Sequence, residues 1–460
     1  ILIGLVGSEM CIRDRYYTVL KIRTDFRKGR QEDVMERNDP RYQAYVEILK
    51  EELIPAMGCT EPIALAYAAA KAREVLGVLP DSVQLQVSGS IIKNVKSVIV
   101  PNTGHLKGME AAVAAGIIAG SAEKELEVIS EVSEEKKSAI RDYLQTVPIT
   151  IEHTEQGHVF DIVVTERCGQ DYARVRIADY HTNICRIEKN GTVLYEVPLL
   201  DETVQEDARA DRSLLNMQDI WDFAETADLR DVADLLERQI RYNNAIAEEG
   251  LLGDYGANIG RVLLTTYGND VSNRAKAKAA AGSDARMNGC ELPVIINSGS
   301  GNQGITCSVP LIEYAKELHS GKEKLYRALI ISNLVAIHEK TGIGTLSAYC
   351  GAVSAGAGAG AGIVYLCGDG YQAAIHTVVN ALAIVSGIVC DGAKASCAAK
   401  IASSVDAALL GYNMYKCNQE FKGGDGIVMK DIETTIKGIG RLGKDGMRQT
   451  NEEIIRLMMS

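Results

Sequence analysis

The segment TGIGTLSAYCGAVSAGAGAGAGIVYLCG, Thr341–Gly368, contains no charged side chain, and Tyr371–Cys390 contains none apart from His376. Uncharged runs of this length read either as membrane spans or as a helical hairpin at the centre of a folded domain. Gly, Ala and Ser crowd both runs, Gly368-Asp369-Gly370 divides them, and no aromatic belt or basic cluster flanks them. The buried hairpin is the expectation, and a membrane is not an expected partner. GAGAGAG (Gly356–Gly362) has a superficial G-x-G-x-x-A spacing. No strand precedes it, so its small residues read as close helix packing rather than as a dinucleotide loop.

The surrounding chain fits that reading. Its 460 residues exceed one ordinary core and imply two or three domains. Lys and Arg number 49 against 61 Asp and Glu, a net charge of −12, which argues against nucleic acid or anionic lipid as partner. Aromatics are scarce, with one Trp, four Phe and 19 Tyr against 43 Gly, so Ala, Val, Ile and Leu must fill the core. Eleven cysteines in a long acidic chain favour reduced thiols and a cytoplasmic location over a disulfide framework. Residues 1–34 include GSEMCIRDR (Gly7–Arg15), which looks like translated adapter sequence; the native start is expected near Met35.

The fold class expected is α+β, a mainly helical catalytic domain with a buried Gly/Ala-rich core plus a smaller α+β domain. Within 36–80, Tyr42, Tyr45, Val46, Leu49 and Leu53 recur at helical spacing. GCTEP (Gly58–Pro62) then opens a second helix with Thr60 as its N-cap. These N-terminal helices, carrying Cys59, are expected to pack on the catalytic domain. Residues 81–200 alternate as strands from Val83, continue in β tone at Val98–Val100, and supply four or five short strands over Ile149–Val197. Asn190-Gly191 marks a hairpin there. From 205 to 460 nearly everything reads as helix, including one long acidic amphipathic stretch, Asp219–Ala247.

Three groups of residues carry potential chemistry. Cys350, Cys390 and Cys397 lie in or beside the uncharged runs and end in CDGAKASC (Cys390–Cys397). They are either buried free thiols or ligands of an iron–sulfur cluster, for which soft thiolates and a short flexible loop are suited. NSGSGNQGITCSVP (Asn297–Pro310) offers Ser298, Ser300, Asn302 and Gln303 as neutral hydrogen-bonding groups, or is an ordinary helix-capping turn. In VPNTGH (Val100–His105), Asn102 and Thr103 precede a helix whose N-terminus can hold a carboxylate, or they cap a plain connection. His338 in HEKTG and the pair His376 and Asn380 read as structural. Cys168, Cys185, Cys290, Cys307, Cys367 and Cys417 read as structural thiols.

Taken together, GCTEP, NSGSGNQG, HEKTGIGTLSAYCG (His338–Gly351) and GIVCDGAKASC (Gly387–Cys397) resemble the L-cysteine desulfidase family, which is related to the alpha chain of iron–sulfur L-serine dehydratases. The resemblance covers about Asn38–Ser460. It implies an oxygen-sensitive [4Fe-4S] lyase, independent of pyridoxal phosphate, that converts L-cysteine to sulfide, ammonia and pyruvate. By position it makes Cys350, Cys390 and Cys397 the cluster ligands. Cys59 takes a catalytic place, as base for the α-proton or displaceable fourth ligand. A base there needs its thiol pKa lowered by the cluster or the following helix N-terminus. Asn102, Thr103, Ser298, Ser300, Asn302 and Gln303 are then candidates for binding a small amino-acid substrate. The six-residue gap before Cys397 is shorter than in the serine dehydratases, which favours desulfidase; L-serine deamination is the alternative, an iron–sulfur sensor a more distant one. A homo-oligomer is compatible with all of these.

Overall fold

A computed structural model describes residues 35–154, 158–199, 209–344 and 347–459. The segment 1–34, read as non-native, lies outside them. The architecture is α+β and mainly helical, as expected. Helix α1 (Pro40–Glu52) starts at Asp39, whose side chain accepts the Arg41 N–H, and strand β1 (Pro55–Met57) follows. Helix α2 (Thr60–Leu76) leads into β2 (Ser82–Val87), α3 (Gly89–Val95), α4 (Gly108–Ala119) and α5 (Glu134–Thr146). Strands β3 (Ile149–His153), β4 (Asp161–Cys168), β5 (Asp171–Ala178), β6 (Ile184–Lys189) and β7 (Thr192–Glu196) complete the small unit.

These strands form one six-stranded sheet in the order β3-β2-β4-β5-β6-β7, with β2 and β3 parallel and every other pair antiparallel. Val83, Leu85 and Val87 point inward from β2, matching their alternation. Asn190 and Gly191 both adopt positive φ (49° and 80°) in the β6–β7 turn, the conformation an Asn-Gly hairpin calls for. Val98–Val100 departs from expectation: Ile99 makes only an isolated bridge to Lys107, because the chain turns at Asn102–His105 before a strand can extend.

The helical unit contains α6 (Met217–Thr226), α7 (Ala233–Leu252), α8 (Ile259–Tyr267), α9 (Val271–Met287), a short strand β8 (Pro293–Ile295), α10 (Gly301–Glu317) and α11 (Lys322–Ile343). It ends with α12 (Gly351–Cys367), α13 (Tyr371–Val385), α14 (Cys397–Lys416), α15 (Ile432–Arg441) and α16 (Arg448–Met459). The acidic stretch from Asp219 is two helices, because Asp228 caps a tight turn at Leu229–Asp231. Helix α12 lies at the centre, packed on α10, α11, α13 and α14. Among the described residues no helix is long and apolar enough to cross a membrane.

The Gly/Ala repeat explains how five helices meet with so few large side chains. A Cβ on Gly358 would stand 2.4 Å from the Ser332 carbonyl oxygen of α11, and one on Gly356 2.8 Å from Ser404 of α14. Gly358→Ala therefore sets a helix-propensity gain of about 1 kcal/mol against overpacking of about 1–3 kcal/mol. Because the obstacle is backbone, net destabilisation is expected as a lower denaturation midpoint; an unchanged or raised midpoint would contradict this packing.

Two large hydrophobic cores divide the described residues. Tyr42, Tyr45 and Leu49 of α1, with Leu53 just after it, join the core of the helical unit, whereas Ile63, Leu65 and Tyr67 of α2 join that of the sheet. The division thus falls between α1 and α2, not at residue 80, and α2 packs chiefly on α4, β4 and β5 of the sheet unit. β1 spans the junction by pairing antiparallel with β8, Pro55 opposite Ile295 and Met57 opposite Pro293. The glycine-punctuated turns of GCTEP and NSGSG therefore lie where the two cores meet.

Candidate active site

The backbone brings the three C-terminal cysteines together. Tyr349 bridges Val389, the Cys350 N–H donates to Ile388 O at 3.2 Å, and the Cys390 N–H donates to Ala348 O at 2.6 Å. Asp391-Gly392 then turns back, with Gly392 at φ +94°, to start α14 at Cys397. Only glycine fits there, since a Cβ would lie 2.0 Å from the Lys93 carbonyl oxygen. Cys350 is the N-cap of α12 and Cys397 the first residue of α14, so both thiols stand at positive helix ends.

Burial pushes the Cys350 thiol up to about 12, with Cys390 and Cys397 adding repulsion. Cys397 is raised by burial and by Cys390. The same neighbourhood shows in the backbone, where the segments of Cys350 and Cys390 bridge each other and the Cys397 thiol lies 3.5 Å from Gly392 O. Lysines surround them. Burial brings Lys340 down to about 8 against the pull of Cys390 and Cys350, and it lowers Lys93 against Cys390, Glu61 and Asp391. Lys400 donates to Val389 O at 2.8 Å and pairs with Asp391.

The donor set fits a thiolate-bound iron–sulfur cluster. Soft sulfur ligands at helix N-termini, ringed by cations, suit an anionic group better than they suit three unassociated thiolates. A cluster takes each thiolate on a separate iron, so it needs neighbouring thiols. Among the described residues no three His, Cys, Asp or Glu side chains converge to hold a single metal ion.

Cys59 is linked to the three cysteines through Lys93, which feels both Cys390 and Glu61. Gly58, at φ +61° beneath Pro101, turns the chain so that Cys59, not Thr60, is the N-cap of α2. Pro62 is tolerated throughout the first turn, so its position does not fix the cap. The Cys59 thiol donates to Glu61 Oε2 at 2.9 Å, Asn94 Nδ2 donates to Glu61 Oε1 at 2.9 Å, and Thr60 Oγ1 lies 3.2 Å from Glu61 Oε2 and 3.3 Å from Gly299 O. The expected lowering of the Cys59 pKa by its helix is not found. Burial and the Glu61 charge drive it well above the usual thiol range. Burial opposes Glu61 ionisation too, but His181, the Cys59 thiol, the local backbone and Arg286 hold its carboxyl below the ordinary value.

The other expected residues divide. Ser298 (φ +48°) and Gly299 (φ +74°) turn the chain into α10, and Ser298 Oγ donates to Asn297 Oδ1 at 2.9 Å. Ser300 is the N-cap of α10 but its side chain caps nothing. Asn302 Oδ1 accepts from Arg286 Nη1 at 3.2 Å. Gln303 Nε2 donates to Ser298 O at 3.4 Å, and its side chain lies where a Cβ on Gly351 would stand, beside Cys350. Asn102 and Thr103 are differently occupied. Asn102 Nδ2 donates to Ile129 O at 2.8 Å, and Thr103 Oγ1 donates to Val100 O at 2.7 Å while accepting from the Leu106 N–H. Both side chains brace the turn over Gly58 and neither is among the groups gathered at the cysteines.

A family model for serine dehydratase alpha chains matches residues 123–456. The chain belongs to the serine dehydratase alpha-chain family. A protein of Desulfitobacterium hafniense named UPF0597 is 61% identical across 93% of this chain and 99% of its own length. UPF0597 proteins of Lachnoclostridium phytofermentans and Treponema denticola are 52% and 46% identical, over 91% and 92% of this chain and 100% of theirs. Membership in the serine dehydratase alpha-chain family makes the chain a lyase-type enzyme of an iron–sulfur-associated family. The relatives' names state no reaction.

Lys93, Asn94, His181 and Arg286 lie in no short motif, and Glu61 was not read as a site residue. Glu61 sits inside GCTEP, where its place in a first helical turn masks it as an ordinary dipole partner. Lys93 and Arg286 are buried cations in otherwise plain helices, and only the tertiary fold brings them to the cysteines.

Proposed function

We propose that the protein is an iron–sulfur lyase that eliminates the β-substituent of L-cysteine, giving sulfide, ammonia and pyruvate. The observation that carries this reading is the meeting of three neighbouring cysteines with the buried Cys59–Glu61 pair across the junction of the two cores. Cys350, Cys390 and Cys397 would hold the cluster, which when bound supplies an open iron as Lewis acid for the departing sulfur.

The chain's own residues account for the rest. Elimination needs a base at Cα, and the thiol of Cys59 already hands its hydrogen bond to Glu61. At rest the pair carries one negative charge, on Glu61, whose carboxylate is stabilised by Asn94 and Arg286. It takes up one proton when Cys59 passes its own proton to Glu61 and receives the one from Cα, leaving both groups neutral. Breaking the Cα–H and Cβ–S bonds yields hydrogen sulfide and aminoacrylate. That product tautomerises to the imine, which one water hydrolyses to pyruvate and ammonia. Closing the site between two cores keeps bulk water from the base. The substrate is a small amino acid, neither nucleic acid nor membrane lipid.

The family description favours one second reading, L-serine deamination at the same site. Anaerobic assay with each substrate separates them. Sulfide and pyruvate in equal amounts from L-cysteine, at a kcat/KM well above that for L-serine, is expected. Pyruvate from L-serine alone would transfer the assignment to the second reading.

A further inference from the structure

The geometry points to Arg286 and Gln303 as a clamp for a free α-amino acid: the guanidinium holds the α-carboxylate, and the Gln303 side-chain oxygen accepts from the α-ammonium. This rests on the functional reading above only for the identity of the leaving group.

Arg286 closes the last turn of α9 and is 3% exposed, yet its Nε meets no acceptor. Among the described residues it pairs with no carboxylate; its one side-chain partner is the neutral Asn302 Oδ1 at 3.2 Å. A buried, always-charged group with unused donors is costly unless an anion completes it. Glu61 is near enough to feel its charge but is occupied by Cys59 and Asn94.

Gln303 is 5% exposed, and its Oε1 has no partner although Nε2 is bound to Ser298 O. An unused buried acceptor one residue from Asn302 is the complement an ammonium group requires. Gly301, two residues before Gln303, packs on Arg286: a Cβ there would stand only 2.3 Å from Arg286 Nε, so the backbone of α10 approaches the guanidinium directly. Ser300 leaves the first-turn N–H groups of this 17-residue helix without a side-chain cap, which adds positive potential on the carboxylate side.

The orientation follows. Gln303 rests against Gly351, next to Cys350, while Arg286 acts on Cys59, Glu61 and His181. An amino acid spanning the two presents its Cα toward Cys59–Glu61 and its side chain toward the three cysteines. His181 Nε2, enclosed and without a partner, faces the same space from the sheet unit, with its ring edge-on to Phe160.

The test uses the anaerobically prepared, cluster-loaded protein and three probes, with binding read by calorimetry. L-Alanine has both charged groups and no leaving group, cysteamine lacks the carboxylate, and 3-mercaptopropionate lacks the ammonium. Arg286→Met is expected to weaken L-alanine about 100-fold, the loss of a charge-assisted pair, and to leave cysteamine unchanged. Gln303→Leu should weaken L-alanine and leave 3-mercaptopropionate unchanged. Should Arg286→Met misfold, Arg286→Lys keeps the charge but loses the fork, and about a 10-fold weakening is expected. Iron content and visible spectrum should match wild type in every variant. L-Alanine binding at wild-type strength in Arg286→Lys and Gln303→Leu would overturn the clamp. Wild type that binds L-alanine through Arg286 but releases no sulfide from L-cysteine would leave the clamp standing and overturn the reaction. Wild type binding no α-amino acid would overturn both.

Discussion

Cys350→Ala, purified and reconstituted without oxygen, is expected to be folded, colourless and unable to release sulfide or pyruvate from L-cysteine. The argument is one of valence. Two remaining thiolates cannot hold a cluster that takes three, and the lysines around them can neutralise charge but cannot replace a ligand. The same loss is expected for Cys390→Ala and Cys397→Ala. Stability should change little, because Cys350 sits at the N-cap of α12 and its side chain makes no cap hydrogen bond. Cys417→Ala is the control. That thiol is exposed and follows α14, so colour and turnover should match wild type. Full activity in Cys350→Ala would remove the thiols from the chemistry.

Glu61→Gln has the second largest expected effect, and it differs in kind. The substitution keeps size and most hydrogen-bonding capacity, so the cluster spectrum and fold should persist. What disappears is the acceptor for the Cys59 proton. Loss of a positioned general base costs roughly 10²–10⁴-fold in rate, and the loss should appear in kcat more than in KM. Burial and the Glu61 charge hold the Cys59 thiol protonated, so Cys59 gains nothing as a base unless its proton has somewhere to go. Cys59→Ser should therefore fall in the same range. Turnover within about threefold of wild type in Glu61→Gln, well short of that general-base loss, would show that the carboxylate is structural.

Local patterns made much of the molecule legible. Alternation in β2, the Asn190-Gly191 turn and the uncharged Gly/Ala run each carry their cause within a few residues, and each became the expected element. The cap of α2 and the apparent strand at Val98–Val100 were misread because a proline in a first turn and a short β-branched run each permit two local solutions. Tertiary context decided between them. The division between cores was illegible for a different reason. Helices α1 and α2 are both apolar on one face, and nothing in either says which core that face will join.

The site shows the same contrast. Cysteines announce themselves by type, so Cys59, Cys350, Cys390 and Cys397 stood out. Arg286, Lys93 and His181 come from α9, α3 and the bend after β5, and what draws them into one site is the buried Glu61 carboxylate that each of them feels. Asn102 and Thr103 had the right polarity, but Asn102 spends it on Ile129 O and Thr103 on its own turn.

The account rests on a cluster bound where the two cores meet. Its most direct measurement is the iron and acid-labile sulfide content of the wild-type protein after anaerobic reconstitution, read together with its visible spectrum. The expected result is about four irons and four sulfides per chain with a brown chromophore, bleached by air. Correctly folded wild-type protein that binds no iron under these conditions would contradict it, and would return Cys350, Cys390 and Cys397 to the interior as ordinary thiols.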